Sequence, residues 1–503
     1  VNPSEHFALP NAPAPKHPNL VFVLPDRLRQ DSMACYGNDW IQSPHMNALA
    51  ERSLVFENAY VTQPVCAPAR SSIMTGLYPP SAGMSVNRLV MPREVQAAAE
   101  MVSSEYKTGY VGKWHLGDEI FAQHRFDHWV GSNDKWWPEY TDHANRTELS
   151  AYHHFLKGKG IEPDEVHPGG MTYSGKLRSE LPPELQMATF LGHQAADFIE
   201  SNANNPFVLY VSSIEPHPPF AGPYDDLYDA ATMPVDETFL AYPEQSTLFN
   251  RLRADLFANC IRDGIDLREG EAAWRRLRAG YWGNVKVVDD MLGSILGGIE
   301  RAGVADNTII VFTSEHGDMV GTHGMLEMRT PYEEAARVPL LMHVPWLEDG
   351  ARRVPGNFSQ IDILPTLLDL MGESLPDQLQ GVSRKAVVDG DDTLANNDIV
   401  VQHNGVGDRN LADECDEYFW PEEKLADLNF MNSQPWRSII TADRWKLNLC
   451  ATDLGELYDL NADPAEQANL FDEPEHRDRI RAMAARLRLW QVRSGDTAPL
   501  PGV

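Results

Sequence analysis

Cys66 opens the segment Cys66-Ala67-Pro68-Ala69-Arg70-Ser71-Ser72-Ile73-Met74-Thr75-Gly76, in which proline suits a first helical turn and glycine a helix end. The pattern predicts a helix with Cys66 at its N-terminus. Unpaired backbone N–H groups and the helix dipole favour an anion there, and Arg70, four residues on, shares that face. Lys113 and His115 stand two apart and so point to one side of an extended segment. A lysine can neutralise an anionic oxygen, and a histidine can hydrogen-bond an attacking or remaining hydroxyl. Asp26 and the pair Glu315-His316 offer hard carboxylate oxygens and one further ligand. That donor set suits a Ca²⁺-like ion that polarises an ester and orients a nucleophile. Singly, each residue has a plainer use: a small buried cysteine, a solvated lysine, a polar loop.

The elements that would position these groups argue for the joint reading. Leu20-Val21-Phe22-Val23-Leu24 is a continuous apolar run, as in a strand buried on both faces, and Asp26 follows it. Phe207 to Val211 repeats the pattern ahead of Glu215-Pro216-His217, and Ile309 to Phe312 ahead of Thr313-Ser314-Glu315-His316-Gly317-Asp318. Helical stretches, Gln186 to Glu200 and Ala272 to Arg301, alternate with the strands. That order predicts an α/β fold with a large mixed, mainly parallel sheet flanked by helices, whose site lies at the carboxyl ends of the strands. Ile361 to Met371 reads as another helix. Beyond it, short antiparallel strands at Arg437 to Thr441, Trp445 to Leu449 and Glu456 to Leu460 precede a helix from about Glu475 to Val492. The expected organisation is an extended arm over 1–18, a catalytic domain over 19–385 and a smaller C-terminal α+β domain over 386–503. The acidic run Asp413-Glu414-Cys415-Asp416-Glu417 reads as a solvated face.

Composition narrows the function classes. A net charge of -31, from 73 acidic against 42 basic residues, opposes nucleic acid and anionic membrane surfaces as partners, so an anionic substrate must be captured by local cations. No apolar stretch approaches the ~20 residues that span a bilayer, and a soluble protein is expected. The five cysteines are too few and scattered for a disulfide scaffold and leave the compartment, secreted, periplasmic or cytoplasmic, undecided. The chain starts at Val1 with no apolar signal core, so a targeting peptide is expected to be absent or removed.

C-x-P-x-R followed by S-x-x-x-T-G resembles the signature of the formylglycine-dependent sulfatases, in which the cysteine is oxidised to an aldehyde. Gly112-Lys113-Trp114-His115-Leu116-Gly117 is similar to that family's G-K-W-H-L-G block, and Pro216-His217-Pro218-Pro219-Phe220 to its P-H-x-P-F element. The resemblance runs on to Glu456-Leu457-Tyr458-Asp459-Leu460-Asn461 and implies an alkaline phosphatase-like fold. It also implies a sulfuric ester hydrolase acting on a sulfated small molecule or carbohydrate, and dependence on a formylglycine-generating maturation enzyme. The hydrated aldehyde at Cys66 would present two hydroxyls: one attacks sulfur and the other, deprotonated, expels sulfate. By resemblance, Arg70, Lys113, His115 and His217 are catalytic, and Asp26, Cys66, Glu315 and His316 hold one divalent cation, expected to be Ca²⁺.

The chain departs from that pattern at three places. Arg27 stands where many members carry a second metal-binding aspartate, Glu315 replaces the usual aspartate, and Met328 replaces a lysine that helps protonate the leaving oxygen. Arg27 and Arg329 are candidate cations for the substrate, Arg27 having a surface position as its alternative. His217, then His323, are candidate proton donors. Trp136 and Trp137, in an aromatic stretch with Phe126, Trp129 and Tyr140, suggest stacking on a sugar. Two other readings compete: a phosphonate monoester or phosphodiester hydrolase using the same nucleophile, and a non-catalytic protein that binds sulfated glycans.

Overall fold

The computed structural model describes residues 15–134, 140–167, 170–347, 350–391, 393–405 and 410–503. Residues 1–14 of the expected arm and the candidates Trp136 and Trp137 lie outside them.

Five parallel strands form the centre of the main sheet, in the spatial order Thr308–Thr313, Asn19–Val23, Phe207–Ser212, Lys107–Gly112 and His128–Gly131. On the far side of Thr308–Thr313 the sheet turns antiparallel through Leu340–His343, which pairs Leu54–Tyr60. Arg337–Val338 and Arg352–Ser359 also pair Leu54–Tyr60. Alternate side chains of each strand face opposite sides, so the apolar runs fill two cores. Val21, Val23, Val111, Leu209, Val211, Ile310 and Phe312 face the helices Met187–Ser201 and Glu271–Ala302. Leu20, Phe22, Tyr110, Val208, Tyr210 and Val311 face the layer holding Cys66–Thr75 and Ile363–Leu370.

A smaller antiparallel sheet follows, in the order Ile399–His403, Trp436–Ile440, Trp445–Cys450 and Glu456–Asp459. Helix Arg477–Ser494 lies on it through Ile480, Met483, Ala484 and Leu487. No helix among the described residues is long and apolar enough to cross a membrane.

Phe126, Trp129 and Tyr140 are spent on packing rather than on a sugar platform. Trp129 stacks on Tyr110 at 5.0 Å between ring centroids, Phe126 packs edge-on to the same ring, and Tyr140 is buried against Phe121. The acidic run 413–417 is only partly a solvated face. Glu414 is buried and pairs with Arg329 at 3.1 Å, whereas Asp413, Asp416 and Glu417 are exposed.

Candidate active site

The carboxyl ends of four parallel strands converge on one buried cluster, and each delivers its residue within a few positions of the strand end. Asp26 follows Asn19–Val23, Lys113 and His115 follow Lys107–Gly112, His217 follows Phe207–Ser212, and Glu315 and His316 follow Thr308–Thr313. Cys66 is the first residue of helix Cys66–Thr75, which Gly76 ends in a left-handed conformation (φ 67°) that glycine adopts without steric cost.

One ligand atom from each of Asp26, Cys66, Glu315 and His316 lies within 4.8 Å of the others. His316 gives its Nδ1 proton to the Gly317 carbonyl (2.8 Å), so the Nε2 lone pair faces the cluster. That nitrogen is 3.3 Å from Cys66 Sγ, 3.6 Å from Glu315 Oε1 and 3.8 Å from Asp26 Oδ1. Asp26 Oδ1 and Glu315 Oε1 are buried, and neither has a hydrogen-bond partner among the described residues. Two buried carboxylate oxygens, an imidazole lone pair and residue 66 fit a divalent cation, and hard oxygens dominate as Ca²⁺ prefers. Glu315 reaches the cluster despite its extra methylene.

Two buried cations surround the carboxylates. Arg70 pairs through Nε with Glu315 and donates from Nη1 to the Lys113 carbonyl and to Ser212 Oγ, both at 2.7 Å. Lys113 pairs with Asp26 and lies 3.8 Å from Glu315 Oε1. Burial alone would raise Asp26, yet the Lys113 ammonium holds it well below the usual carboxylate range. Glu315 is pushed up to about 8, by burial first and then by the charge of Asp26, against the pull of Arg70. Two carboxylates this close resist a second negative charge without a cation between them. Burial and the Glu315 charge push the Cys66 thiol up to about 12, so the unmodified residue is a poor source of thiolate.

His115 and His217 complete the ring as neutral imidazoles. His115 lies within electrostatic reach of Lys113, Arg70 and Asp26, and burial with the first two cations drives it well below the ordinary histidine range. Its backbone N–H and that of Trp114 donate to Glu119, at 2.6 and 2.8 Å. This carboxylate organises a turn in which His115 has φ 60°. His217 donates from Nδ1 to the Pro218 carbonyl (2.9 Å) and accepts at Nε2 from Arg27 Nη2 (3.0 Å). Burial and the guanidinium lower it strongly. In this arrangement His217 carries no proton toward a leaving oxygen, which corrects the role expected for it.

Arg27 is neither a surface residue nor a free cation for the substrate. It is 2% exposed and pairs with Asp318 at 3.0 Å and Glu327 at 2.7 Å. Glu327 also binds Arg262 at 2.8 Å, and Arg329 links Glu327 to Glu414. Arg329 is therefore part of a buried ion-pair network. His323 is displaced from the cluster as well: its ring stacks on Tyr332 at 4.1 Å and lines a separate cavity with Tyr242, Tyr458 and Glu466. Met328, 1% exposed, sits in the same apolar core as Cys66.

Glu119, Ser212, Glu327 and Arg262 are the site-organising residues that the sequence left unmarked. Ser212 ends the Phe207 run and Glu327 directly precedes Met328, but their partners Arg70 and Arg27 are far away in sequence.

The family model of the sulfatases matches residues 18–373, and the chain belongs to that family. It is thus a sulfuric ester hydrolase. Among its relatives, an ulvan-active sulfatase of Formosa agariphila is 28% identical over 499 residues, covering 96% of this chain and 82% of the relative. The structure of the phosphonate monoester hydrolase SpPMH from Silicibacter pomeroyi matches with a TM-score of 0.76 at 21% identity, covering 95% of this chain and 96% of that one. A structure of BT4656 in complex with D-glucosamine-2-N,6-O-disulfate matches with a TM-score of 0.72 at 22% identity, covering 96% and 99%. At those identities the likeness to the two structures is one of fold.

Proposed function

We propose that the chain hydrolyses a sulfate monoester carried on a carbohydrate, with residue 66 acting as formylglycine and one divalent cation held by Asp26, residue 66, Glu315 and His316. The observation that carries this reading is the convergence of those four residues with Arg70 and Lys113 in one buried cluster. The aldehyde of a matured residue 66 supplies, once hydrated, the attacking hydroxyl and the second hydroxyl through which sulfate is released. A bound divalent cation supplies polarisation of the ester oxygens.

The chain's own residues supply the rest. Arg70 and Lys113 keep their positive charges when buried and meet an anionic ester entering beside residue 66. Ser212 and the Lys113 carbonyl fix the Arg70 fork, so little reorganisation is needed when charge develops. His115 stays neutral and so can share a hydrogen bond with a hydroxyl without adding charge, while His217 is held in place by the Pro218 carbonyl and Arg27. The ulvan-active relative supports a sulfated polysaccharide fragment as the substrate class.

A phosphonate monoester or phosphodiester hydrolase is favoured by a different observation, the single aspartate at the first strand end, where Arg27 follows Asp26. Rates on aryl sulfate, sulfated disaccharides and an aryl phosphodiester, measured on one preparation, separate the readings. The sulfatase proposal expects kcat/KM to be higher on the sulfates by at least about tenfold, or ~1.4 kcal/mol of transition-state binding. Preference for the phosphodiester would overturn it.

A further inference from the structure

The loop that carries His217 forms one wall of a cleft that the cluster itself does not use. Helix Gly175–Ser179, the start of helix Met187–Ser201 and Asn284 supply the other walls. Most polar groups around it are committed to the backbone. The Tyr152 hydroxyl donates to the Leu185 carbonyl (2.8 Å), Asn284 Nδ2 to the Pro219 carbonyl (2.9 Å), and Gln186 Nε2 to the carbonyls of Arg178 and Leu181. Burial raises Glu215 above the usual carboxylate range, against the pull of a hydrogen bond it accepts from the backbone N–H of Ala188 in the first turn of helix Met187–Ser201.

Arg178 is the exception. Its side chain lines the cleft half-buried, its Nε is shielded from solvent, and the guanidinium makes no hydrogen bond or ion pair with any described residue. Glu215 is near enough to feel its charge but forms no ion pair with it. A partly desolvated guanidinium without a partner is costly to maintain, and its planar fork matches carboxylate and sulfate oxygens. In a chain of net charge -31, a cation without an ion-pair partner among the described residues, in a cleft that His217 also lines, gives a local means of attracting a negative group.

We propose that Arg178 binds a second anionic group, a carboxylate or a further sulfate, on the sugar whose ester lies at residue 66 or on the sugar next to it. The second carboxylate oxygen of Glu215, buried and without a partner, accepts a hydroxyl of the same ring. This inference rests on the carbohydrate sulfatase reading and adds a specificity determinant to it.

The test compares three disaccharides that share one sulfate ester: one with its uronic carboxylate intact, one carboxyl-reduced, and one reduced but carrying a second sulfate. 4-Nitrophenyl sulfate is the reference without a second anion. Native enzyme should prefer the anion-bearing disaccharides, and the disaccharide that shows the preference identifies carboxylate or sulfate as the group bound. In Arg178→Gln the preference should shrink, mainly through KM, by about 10- to 100-fold, which is ~1.4–2.8 kcal/mol and the scale of a charge-assisted hydrogen bond. Arg178→Lys should restore part of it. Calorimetric binding of the desulfated uronate disaccharide gives the same comparison without turnover, and thermal melting confirms that the variants fold. No anion preference in the native enzyme, or one that survives Arg178→Gln, overturns the assignment while leaving the sulfatase reading intact. Turnover of 4-nitrophenyl sulfate with none of the disaccharides sinks both.

Discussion

Replacing Arg27 with glutamine tests whether this arginine is a structural clamp or a substrate-binding cation. The guanidinium sits between Asp318 at 3.0 Å and Glu327 at 2.7 Å, all three groups at most 2% exposed, and its remaining arm donates to His217. Removing one partner of a buried ion pair costs ~3–5 kcal/mol, because the other charge stays buried. Here neither carboxylate is left bare. Glu327 keeps Arg262 at 2.8 Å, and Asp318 keeps the backbone N–H groups of Val320 and Glu327 at 3.1 and 3.0 Å. The loss should therefore fall near the lower end, about 3 kcal/mol. Glu327→Gln should also destabilise, and the double variant should lose less than the sum of the two by ~1–3 kcal/mol. The assay is a set of urea unfolding curves, with kcat/KM on 4-nitrophenyl sulfate alongside. A clamp predicts a lower unfolding midpoint with coupling between the two sites. An Arg27→Gln enzyme whose unfolding curve overlays the native one while its KM rises tenfold would refute that reasoning and return Arg27 to the substrate.

Met328→Lys places an ammonium in the apolar core that also holds Cys66, so it should lower the melting temperature and the activity together; an active, equally stable variant would show that the core opens there. Cys66→Ser, still a nucleophile but unable to expel sulfate, should release one equivalent of alcohol and accumulate a sulfated enzyme visible by intact mass; repeated turnover would contradict the need for the second hydroxyl. His316 and His403 are held near pKa 3, and His343 near 4, mainly by burial, against about 6.5 in the unfolded chain. Their folded values are depressed, so the stability they contribute is present above pH ~6.5 and lost as pH falls toward those values, at up to ~1.4 kcal/mol per unit each. Glu315 runs the other way in the metal-free protein. With its folded pKa raised to about 8, its contribution is present below its unfolded value and lost as pH rises through 8, and added Ca²⁺ should remove that alkaline loss. Melting temperatures from about pH 4 to 9, with and without Ca²⁺, check both limbs; a flat acid limb would mean the histidines protonate in place, and an alkaline limb unaffected by Ca²⁺ would mean that the ion is held elsewhere.

What was legible in the sequence was chemistry carried by short segments. Asp26, Glu315 and His316 each follow an apolar run within a few residues, so placing those strands side by side in parallel placed these groups together without knowledge of any side-chain contact, whereas Lys113 follows the mixed segment Lys107–Gly112 and was marked by its spacing to His115 and its motif. Cys66 and Arg70 were fixed relative to each other by helical spacing alone. What the sequence could not show was pairing at a distance. Arg27 and Glu327 are 300 positions apart, and only the folded chain shows that one neutralises the other. The same holds for Glu414, which sits in an exposed-looking acidic run yet is drawn inward by Arg329. His217 shows a subtler limit: its place beside the cluster was readable from its motif, but its tautomer depends on a carbonyl one residue away and on Arg27.

The reading that residue 66 must lose its thiol before the enzyme works is tested most directly by relating activity to modification. Samples made with graded amounts of the maturation enzyme, digested and weighed at the peptide containing residue 66, give the fraction present as aldehyde, and 4-nitrophenyl sulfate turnover is measured on the same samples. A formylglycine nucleophile predicts a rate proportional to that fraction and passing through zero. Full turnover from protein whose residue 66 is entirely cysteine would contradict it.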